Sequence, residues 1–453
     1  MRNAPLPPEV QQTLGVAPDP LVTLAQVRAS RKAINALPQE DRAAARRVLD
    51  AQGNQIAYES IRRELLRELY SPARLQEEMT WFWVNHFSVY EYKADLRWLV
   101  GDYVDTAIRP HALGHFRDLV MATLEHPAML EYLDNDHNAA GHINENYARE
   151  FMELHTLGVN AGYTQQDVQQ LAHVFTGVGV NPGPAPRLPP PLRALYRRKG
   201  AFEFNPARHD RHPAVLLGHR LGGAGFDQVQ AAVTLIVRQP ACAQFISRQI
   251  ATYFMGDDPP DALVAAMANT FRSTDGDIAA VLRTLLLSPA FDASLGHEYK
   301  DPTRYVLSAV RLSFPDRTIS NTRPILNWLR ALDEGPFDHQ TPDGYPLIQA
   351  GWASPGQLSR RFEVARAISS GNNHLFDPDA PPAATMKAGP QATPVAGAGP
   401  ALPTGGFAQP ASRLYYAAIE PYLSTSTRTA LAAASSPQEW NTFLLASPDF
   451  NYE

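Results

Sequence analysis

Residues 142–175 read HINENYAREFMELHTLGVNAGYTQQDVQQLAHVF, and the two periodic patterns in this stretch decide the fold. Apolar residues in the first half recur at the spacing of one helix face, and they are Ile143, Tyr147, Phe151 and Leu154. Gly158 follows where such a helix would end. Thr164 is a good N-cap for a second helix, with Asp167 in the acidic position of a capping box. The stretch therefore predicts two helices joined by a short turn.

The first of these helices concentrates ionisable side chains on one face. At about 100° per residue, that face carries His142, Glu145, Asn146, Arg149 and Glu153, with Glu150 at its border and His155 at the far edge of the apolar stripe. Glu145, Arg149 and Glu153 follow the spacing of an ordinary ion-pair ladder on a surface helix. If the face is instead buried, Arg149 neutralises one carboxylate, and crowding raises the pKa of a second carboxyl group.

Two functions are compatible with this face. The first is a hydrolase of a carbohydrate-like or other polymeric substrate, in which Glu150 and Glu153 form a general acid/base pair and Arg149 is their electrostatic partner. The second is a non-catalytic binding or assembly protein, in which the same Glu, Arg, Asn and His side chains form a buried structural network. Asn146 is a substrate contact in the first interpretation and pins the helix to its neighbours in the second.

Histidines extend the catalytic hypothesis. His86 lies on an aromatic stripe, WFWVNHF, where it is either a substrate contact or a satisfied core histidine. His155, near the helix C-terminus, and the loop pair His209 and Asp210 are further catalytic candidates, although an exposed His in a polar turn is usually inert. A third alternative is a metalloenzyme that uses His86, His155 or His209 with the Glu pair, and His209 with His212 has the spacing of two metal ligands. We expect no metal and no other cofactor, because no complete metal or phosphate motif occurs.

The segment 336–352 is loop-like and carries two large aromatic residues, Tyr345 and Trp352. A loop of this kind either lines a pocket for a sugar or another small-molecule ligand, or anchors itself to the core. Both residues are therefore candidate substrate contacts.

Helical patterns fill most of the remaining chain. They run over 21–36, 39–51, 55–70, 73–89, 95–107, 110–124, 126–133, 226–237, 239–255, 259–273, 275–288, 301–314, 322–333, 354–370 and 411–447. Two strand patterns, 201–205 and 214–221, predict one small β-hairpin around the loop that holds His209. The predicted fold class is therefore all-α, a large multi-helix orthogonal bundle with Pro-rich surface insertions.

Composition divides the chain into four parts. We expect residues 1–20 to be loosely held and residues 21–373 to form the main helical domain, with the Pro-rich stretch 181–199 on its surface. Residues 374–410 are rich in Pro, Ala and Gly and are expected to be flexible, and residues 411–453 are expected to pack back on the main domain as C-terminal helices.

Charge, cysteine usage and hydropathy exclude several classes of protein. A formal net charge of −6 argues against a nucleic-acid partner, because a domain that neutralises phosphates is normally basic. Cys242 is the only cysteine, which excludes an intramolecular disulfide and a Cys-rich zinc site and predicts a buried, inert thiol. No apolar run is long enough to insert into a membrane.

Several segments together resemble one bacterial family, known as domain of unknown function 1800. The central pair NENYAREFMELHTLGV and GYTQQDV is similar to the signature of that family, and further similar segments follow the same order along the chain. They are MTWFWVNHFSV at 79–89, HPAMLEYLDN at 126–135, FEFNPARHD at 202–210, QPACAQFISRQI at 239–250 and DGYPLIQAGWAS at 343–354.

The resemblance implies an all-α protein without an agreed activity. Members of the family are often exported and encoded beside a second uncharacterised exported protein, which implies a protein partner. The N-terminus, MRNAPLPPEV, carries no visible signal peptide, so the residues alone predict a cytoplasmic protein where the resemblance implies export. The Pro-rich insertions at 181–199 and 374–410 also depart from the family pattern.

Overall fold

A computed structural model describes residues 24–379 and 407–453, together with residues 6, 8, 10 and 11. Helices up to the central stretch are Leu24–Ala36 (α1), Gln39–Tyr70 (α2), Arg74–His86 (α3), Phe116–Leu124 (α4), Pro127–Tyr132 (α5), Asn146–Glu150 (α6) and Gln165–Val174 (α7). Later helices are Pro190–Arg193 (α8), Phe226–Val237 (α9), Pro240–Met255 (α10), Asp261–Ser273 (α11), Ile278–Leu286 (α12), Pro289–Ser294 (α13), Pro302–Ser313 (α14), Arg323–Ala331 (α15), Pro355–Ser369 (α16), Arg413–Ala418 (α17), Thr425–Ala432 (α18) and Pro437–Leu445 (α19). The predicted all-α fold class is confirmed.

Shorter helical pieces connect these elements. An α-helical turn, Val100–Asp102, leads into a π-helix, Tyr103–Ile108. A second π-helix, Phe151–Thr156, continues α6. Single turns of 3₁₀-helix lie at Leu96–Trp98, Arg109–His111, Asn135–His137, Gln349–Gly351, Glu420–Tyr422 and Asp449–Asn451.

Helix α2 is continuous where the sequence predicts two helices separated near residues 51–55. Gly53 lies inside α2 and faces the indole of Trp98, so that a Cβ atom at this position would lie 3.2 Å from the ring. A glycine normally weakens a helix interior. Here its missing side chain admits the close approach of Trp98, and tertiary packing overrides the local preference.

The central stretch forms the predicted helix pair. The capping box is confirmed, because the Thr164 hydroxyl accepts a hydrogen bond from the Asp167 amide (3.2 Å) and the Asp167 carboxylate accepts one from the Thr164 amide (2.8 Å). The first helix, however, widens to a π-helix after Glu150, with the Leu157 amide donating to the Met152 carbonyl five residues back (2.9 Å).

This wider turn changes which side chains face the core. A strict 3.6-residue period places His155 at the edge of the apolar stripe, whereas the π turn brings its ring beside that of Tyr147, with 6.5 Å between ring centroids. His155 is therefore buried, and Leu154, which the sequence assigns to the stripe, is only half-buried.

The β-structure differs from the predicted hairpin. Phe202–Phe204 (β3) is the middle strand of an antiparallel sheet of three, between Val178–Val180 (β1) and Arg197–Lys199 (β2). Val215–Leu216 (β4) pairs with His219–Arg220 (β5) instead of with β3.

Two residues explain why the predicted pairing of 201–205 with 214–221 does not form. Leu217 and Gly218 have φ values of +49° and +77°, which is the left-handed backbone of a tight hairpin turn. The predicted strand 214–221 therefore folds back on itself, and the Asp167 carboxylate holds the turn by accepting a hydrogen bond from the Leu217 amide (2.7 Å).

One hydrophobic core joins most of the described elements. It extends from α2 to the 3₁₀ turn at Asp449–Asn451, with the rings of Phe82, Trp83 and Phe116 near its middle. Cys242 is fully buried in this core, and burial raises the pKa of its thiol far above the ordinary value. The predicted buried thiol is thus confirmed.

The C-terminal elements are tied to the core by buried polar contacts. Helix α19 packs along α16, and Arg361 on α16 is 1% exposed. Its guanidinium donates to the Asn451 side chain (2.8 Å) and to the Lys300 carbonyl (2.6 Å). Arg361 therefore connects α16, the segment before α14 and the end of the chain.

The two segments predicted to be loose fall largely outside the described residues. Within the part that is described, Asp379 lies near the start of the predicted flexible segment and accepts hydrogen bonds from Tyr58 (2.6 Å) and Arg323 (3.0 Å). On the far side, the Gln409 amide donates to the Ser313 carbonyl (2.7 Å).

Replacing Arg361 should release the C-terminal elements. Arg361→Ala leaves buried acceptors at Asn451 and Lys300 without their donor, and we expect the free energy of unfolding to fall by about 3–5 kcal/mol. Denaturant unfolding measures this loss. The control is Arg360→Ala at the neighbouring, half-exposed Arg360, whose ion pair with Asp333 lies on the surface and is worth at most about 1 kcal/mol. Equal losses in both variants would contradict the role of Arg361.

Candidate functional site

An open cavity of about 490 Å³ lies where α2, α3, α10 and α14 meet the end of the chain. Aromatic side chains in its wall are Trp81, Tyr253, Phe254 and Phe291. Charged side chains interrupt this apolar surface, with Glu68, Glu78, Glu298 and Glu453 as acids and Arg304 and Arg311 among the bases. An apolar cavity with a few convergent charged groups is the usual form of a ligand site. We call this cavity the Arg304 cleft.

Arg304 organises the cleft from the first turn of α14. Asp301 caps that helix by accepting a hydrogen bond from the Arg304 amide (2.7 Å), which sets the direction in which the side chain leaves the backbone. The Arg304 side chain is 9% exposed, and its guanidinium stacks on the ring of Tyr253 at 4.0 Å from the ring centroid.

The guanidinium of Arg304 binds the carboxyl group of the nearby Glu298 and two carboxyl groups from distant parts of the chain. Its Nε lies 3.1 Å from Oε1 of Glu78, its Nη1 contacts Oε1 of Glu298, and its Nε lies 3.4 Å from Oε1 of Glu453. Nη2 donates to the Tyr253 carbonyl (2.7 Å), and the Tyr253 hydroxyl donates to Glu78 (2.8 Å). One buried cation therefore fixes the relative positions of the acids that face the cavity.

Burial raises the pKa of two acids in the cleft wall, Glu298 and Glu68. Burial, reinforced by the charge of Glu453, raises the pKa of Glu298 to about 8, although Arg304 beside it acts in the opposite direction. A protonated Glu298 still accepts the Arg304 hydrogen bond through its carbonyl oxygen. Burial likewise raises the pKa of Glu68, with Glu78 adding to the shift and Arg311 opposing it. At neutral pH the cleft thus holds one carboxylic acid, Glu298, that can donate a proton.

The cleft was not predicted from the sequence. Its acids lie at positions 68, 78, 298 and 453, so no local spacing joins them. The one local signal is HEYKDPTRY at 297–305, in which Glu298, Asp301 and Arg304 recur every three residues beside a helix start.

The acids predicted from the sequence occupy a different place. Arg149 is 41% exposed and pairs with Glu145 (3.2 Å) and Gln165 (3.0 Å), so that the ladder lies on the surface at this end. Glu150 is half-buried, and burial together with the charges of Glu153 and Asp343 raises its pKa while Arg149 opposes the shift. The raised pKa of Glu150 agrees with the crowded carboxyl that we expected.

The loop with His209 and Asp210 packs against the other helix of the pair. The His209 ring is buried, with Nδ1 2.9 Å from the Thr176 carbonyl, and burial lowers its pKa. Asp210 contacts the ring nitrogens of His173 (2.6 Å) and His212 (2.5 Å). Burial opposes ionisation of Asp210, but hydrogen bonds from His212 and His173 lower its pKa to about 2.

The predicted catalytic residues are thus divided: Glu150, Glu153 and Arg149 lie on the central helix, His209 and Asp210 pack against the end of α7, and His155 is buried in the core. The charges that shift Glu150 come from Glu153, Arg149 and Asp343, and the loop of His209 contributes none of them. Asp343, in the segment 336–352, is the group that the sequence did not associate with this pair. Within residues 24–379 and 407–453, no three His, Cys, Asp or Glu side chains are arranged to hold a metal ion.

His155 is buried in the core, and His86 lies partly buried beside it. Nε2 of His86 lies 3.0 Å from the His155 carbonyl, and burial lowers the pKa of His86 to about 4 and of His155 to about 3. Both rings are neutral at pH 7, so His155 is not the helix-end cation that its position in the sequence suggests.

The side chains predicted as substrate contacts mainly donate hydrogen bonds to backbone carbonyl groups. The Asn146 amide donates to the Leu133 carbonyl (3.2 Å). The Tyr345 hydroxyl donates to the Gly335 carbonyl (2.8 Å), and the indole of the buried Trp352 donates to the Pro346 carbonyl (2.9 Å). These two bonds lie within the loop, and Asn85 on α3 anchors it by donating to the Tyr345 carbonyl (3.0 Å) and accepting from the Tyr345 amide (2.6 Å), as in the alternative in which the loop is held against the core.

A family model described as "Protein of unknown function (DUF1800)" matches residues 4–452. The chain belongs to the DUF1800 family. The resemblance of the central stretch is thereby confirmed over nearly the whole length of the sequence. Comparisons of this DUF1800 protein with curated proteins and with solved structures give no match. None of its described helices combines the length and the apolar character required to cross a bilayer.

The raised pKa of Glu298 should make the stability of this DUF1800 protein depend on pH. An acid whose pKa rises from about 4.3 in the unfolded chain to about 8 in the fold binds its proton more tightly when folded. The free energy of unfolding therefore falls as pH rises through this window.

Denaturant unfolding at pH 5.5 and 8.5 tests the sign. Glu298→Gln mimics the protonated acid. Between pH 5.5 and pH 8.5, the free energy of unfolding of this variant should therefore fall by about 1–3 kcal/mol less than that of the native protein. Glu363→Gln, at an exposed ion pair with Arg366, is the control and should retain the fall. A pH dependence of Glu298→Gln identical to that of the control would contradict the assignment.

Proposed function

We propose that this DUF1800 protein is a hydrolase of a carbohydrate-like polymeric substrate, with Glu298 and Glu78 of the Arg304 cleft as its acid/base pair. The observation that carries the proposal is the shared guanidinium. Arg304 holds both carboxyl groups at the wall of one open, aromatic-lined cavity, and the pKa of Glu298 is raised to about 8.

The two acids suit complementary roles. Glu298, protonated at neutral pH, donates its proton to the leaving-group oxygen of the scissile bond. Glu78 is about one-third exposed and already accepts hydrogen bonds from Tyr253 and Arg304. It directs a water molecule at the opposite face of the substrate or attacks the carbon itself, and the stereochemistry of the product distinguishes these two routes.

The remaining wall fits a substrate with both apolar and hydroxyl faces. Trp81 and Phe254 offer aromatic surfaces of the kind that bind the apolar face of a sugar ring. Arg74 and Arg311 lie at the same wall, where both donate to the Glu68 carbonyl, and their remaining N–H groups are donors for substrate hydroxyl groups. The net arrangement supports a carbohydrate-like ligand better than a highly charged one.

The pair Glu150 and Glu153 is the alternative location for the same chemistry. The raised pKa of Glu150 supports it, whereas the pairing of Arg149 with Glu145 and Gln165 at the surface directs that cation elsewhere.

Matched variants separate the two locations. With soluble α- and β-linked polysaccharides as substrates and release of reducing ends as the measurement, Glu298→Gln and Glu78→Gln should each lower kcat by about 100-fold or more. Glu150→Gln should stay within about threefold of the native rate. Loss of activity in Glu150→Gln alone would move the site to the central helix, and full activity in all three variants would overturn both assignments.

For the central signature we propose a structural role, the second function that the sequence allows. Support comes from buried amides at the entrance to α6. The Asn138 amide donates to the Ala172 carbonyl (2.9 Å) and to Asn135 (3.2 Å), and its oxygen accepts from the Asn144 backbone (3.0 Å). Both N–H groups and the oxygen of the Asn138 side chain make hydrogen bonds. Asn138 thereby joins the loop before α6 to α7.

The structural role predicts which substitutions destabilise the protein. Asn138→Ala leaves buried partners unsatisfied and should lower the free energy of unfolding by about 2–4 kcal/mol. Arg149→Ala removes only a surface pair and should cost about 1 kcal/mol or less. Thermal and denaturant unfolding measure both, and a larger loss for Arg149→Ala would favour a buried ionic network instead.

A further inference from the structure

A second cavity, of about 510 Å³, adjoins the Arg304 cleft. The two share Leu295 and Glu453 in their walls, and the second extends toward the C-terminal elements, where Ile419, Tyr422 and Phe450 line it. Lys300 also lies in this wall, two residues after Glu298 of the first cavity. The proposed hydrolase chemistry does not use this second cavity.

Lys300 is in an unusual place for an ammonium group. The residue is 6% exposed, its Nζ donates to the Phe450 carbonyl (2.9 Å), and Nζ lies 4.1 Å from the centroid of the Phe450 ring. Among the described residues, no carboxylate lies within ion-pair distance of it. An ammonium group has three protons to donate, and burying one without an anion is costly unless the group loses its charge.

The charged neighbours of Lys300 favour the free amine. Burial, together with the positive charges of Arg361 and Arg304, lowers the pKa of Lys300 to about 8, and Glu453 acts in the opposite direction. Arg361 is fixed against this residue because its guanidinium donates to the Lys300 carbonyl (2.6 Å). Burial in an apolar wall beside other cations is the environment that activates lysine as a nucleophile.

We infer that Lys300 is a reactive amine that binds an aldehyde or ketone in this second cavity by forming an imine. The free amine of Lys300 adds its electron pair to the carbonyl carbon and forms a carbinolamine. Loss of water then breaks the carbon–oxygen bond and forms the carbon–nitrogen double bond, so that both amine protons leave with the carbonyl oxygen as water. Glu453 lines the same cavity and carries protons through an intervening water molecule during the dehydration.

Reductive trapping of the full chain tests this inference without any variant. Butanal and sodium cyanoborohydride are added at pH 7, the reductant converts an imine into a stable secondary amine, and peptide mass mapping locates the added butyl group. Lys occurs at only five positions, 32, 93, 199, 300 and 387, and Lys32 and Lys199 are exposed internal controls.

The expected result is selective modification of Lys300. At pH 7, a pKa of about 8 leaves roughly 200 times more free amine than the ordinary pKa of about 10.4. Even with slower entry into the cavity, we expect Lys300 to react at least tenfold faster than Lys32 and Lys199, with a rate that levels off above about pH 8. Modification of the two exposed lysines with Lys300 unmodified would overturn the inference.

Two variants separate reactivity from a structural role. Lys300→Arg keeps a cation and a donor for the Phe450 carbonyl, and it should abolish the selective modification while the chain stays folded by circular dichroism. Lys32→Arg should leave the modification of Lys300 unchanged. Undiminished modification of the same peptide in Lys300→Arg would also overturn the inference. Glu298→Gln should still permit trapping, so failure of the hydrolase proposal and failure of this one are distinguishable.

Discussion

The buried guanidinium of Arg304 is the constraint on which the arrangement of the chain ends depends. A cation removed from water must be matched by anions and hydrogen-bond acceptors, and Arg304 finds them on α3, on α10, before α14 and at Glu453. Because the separation of opposite charges in a poorly solvated wall is expensive, these elements keep one relative position. The acids that line the cleft are therefore held in place by the fold itself.

The same physical argument explains how far local sequence can predict this structure. The capping box of Thr164 and Asp167 was predictable because both partners lie within one helical turn. The predicted hairpin was wrong because the backbone at Leu217 and Gly218 has positive φ values. These two residues divide into two strands a segment whose side-chain pattern is typical of one strand. The burial of His155 was not predicted because a π turn changes the helical period partway along the helix. No residue type in the sequence indicates that change.

The candidate site differs more from the sequence-based prediction than the fold does. Dense charge in residues 142–155 directed attention to Glu150 and Glu153, and the structure adds the charge of Asp343 to the surroundings of Glu150 and leaves His209 with α7. The acids of the Arg304 cleft are separated by up to several hundred residues, and each alone looks like ordinary surface charge. Burial distinguishes Glu298 from the exposed glutamates of the chain, and burial is a property of the assembled fold.

The full burial of the single cysteine has a practical consequence. Cys242 lies inside the core, and the high pKa of its thiol leaves almost no thiolate at neutral pH. The native chain is therefore nearly inert toward maleimides and similar thiol reagents while it stays folded. A cysteine introduced at the rim of either cavity would carry a fluorophore or spin label at one known position, so entry of a ligand could be followed without first replacing Cys242.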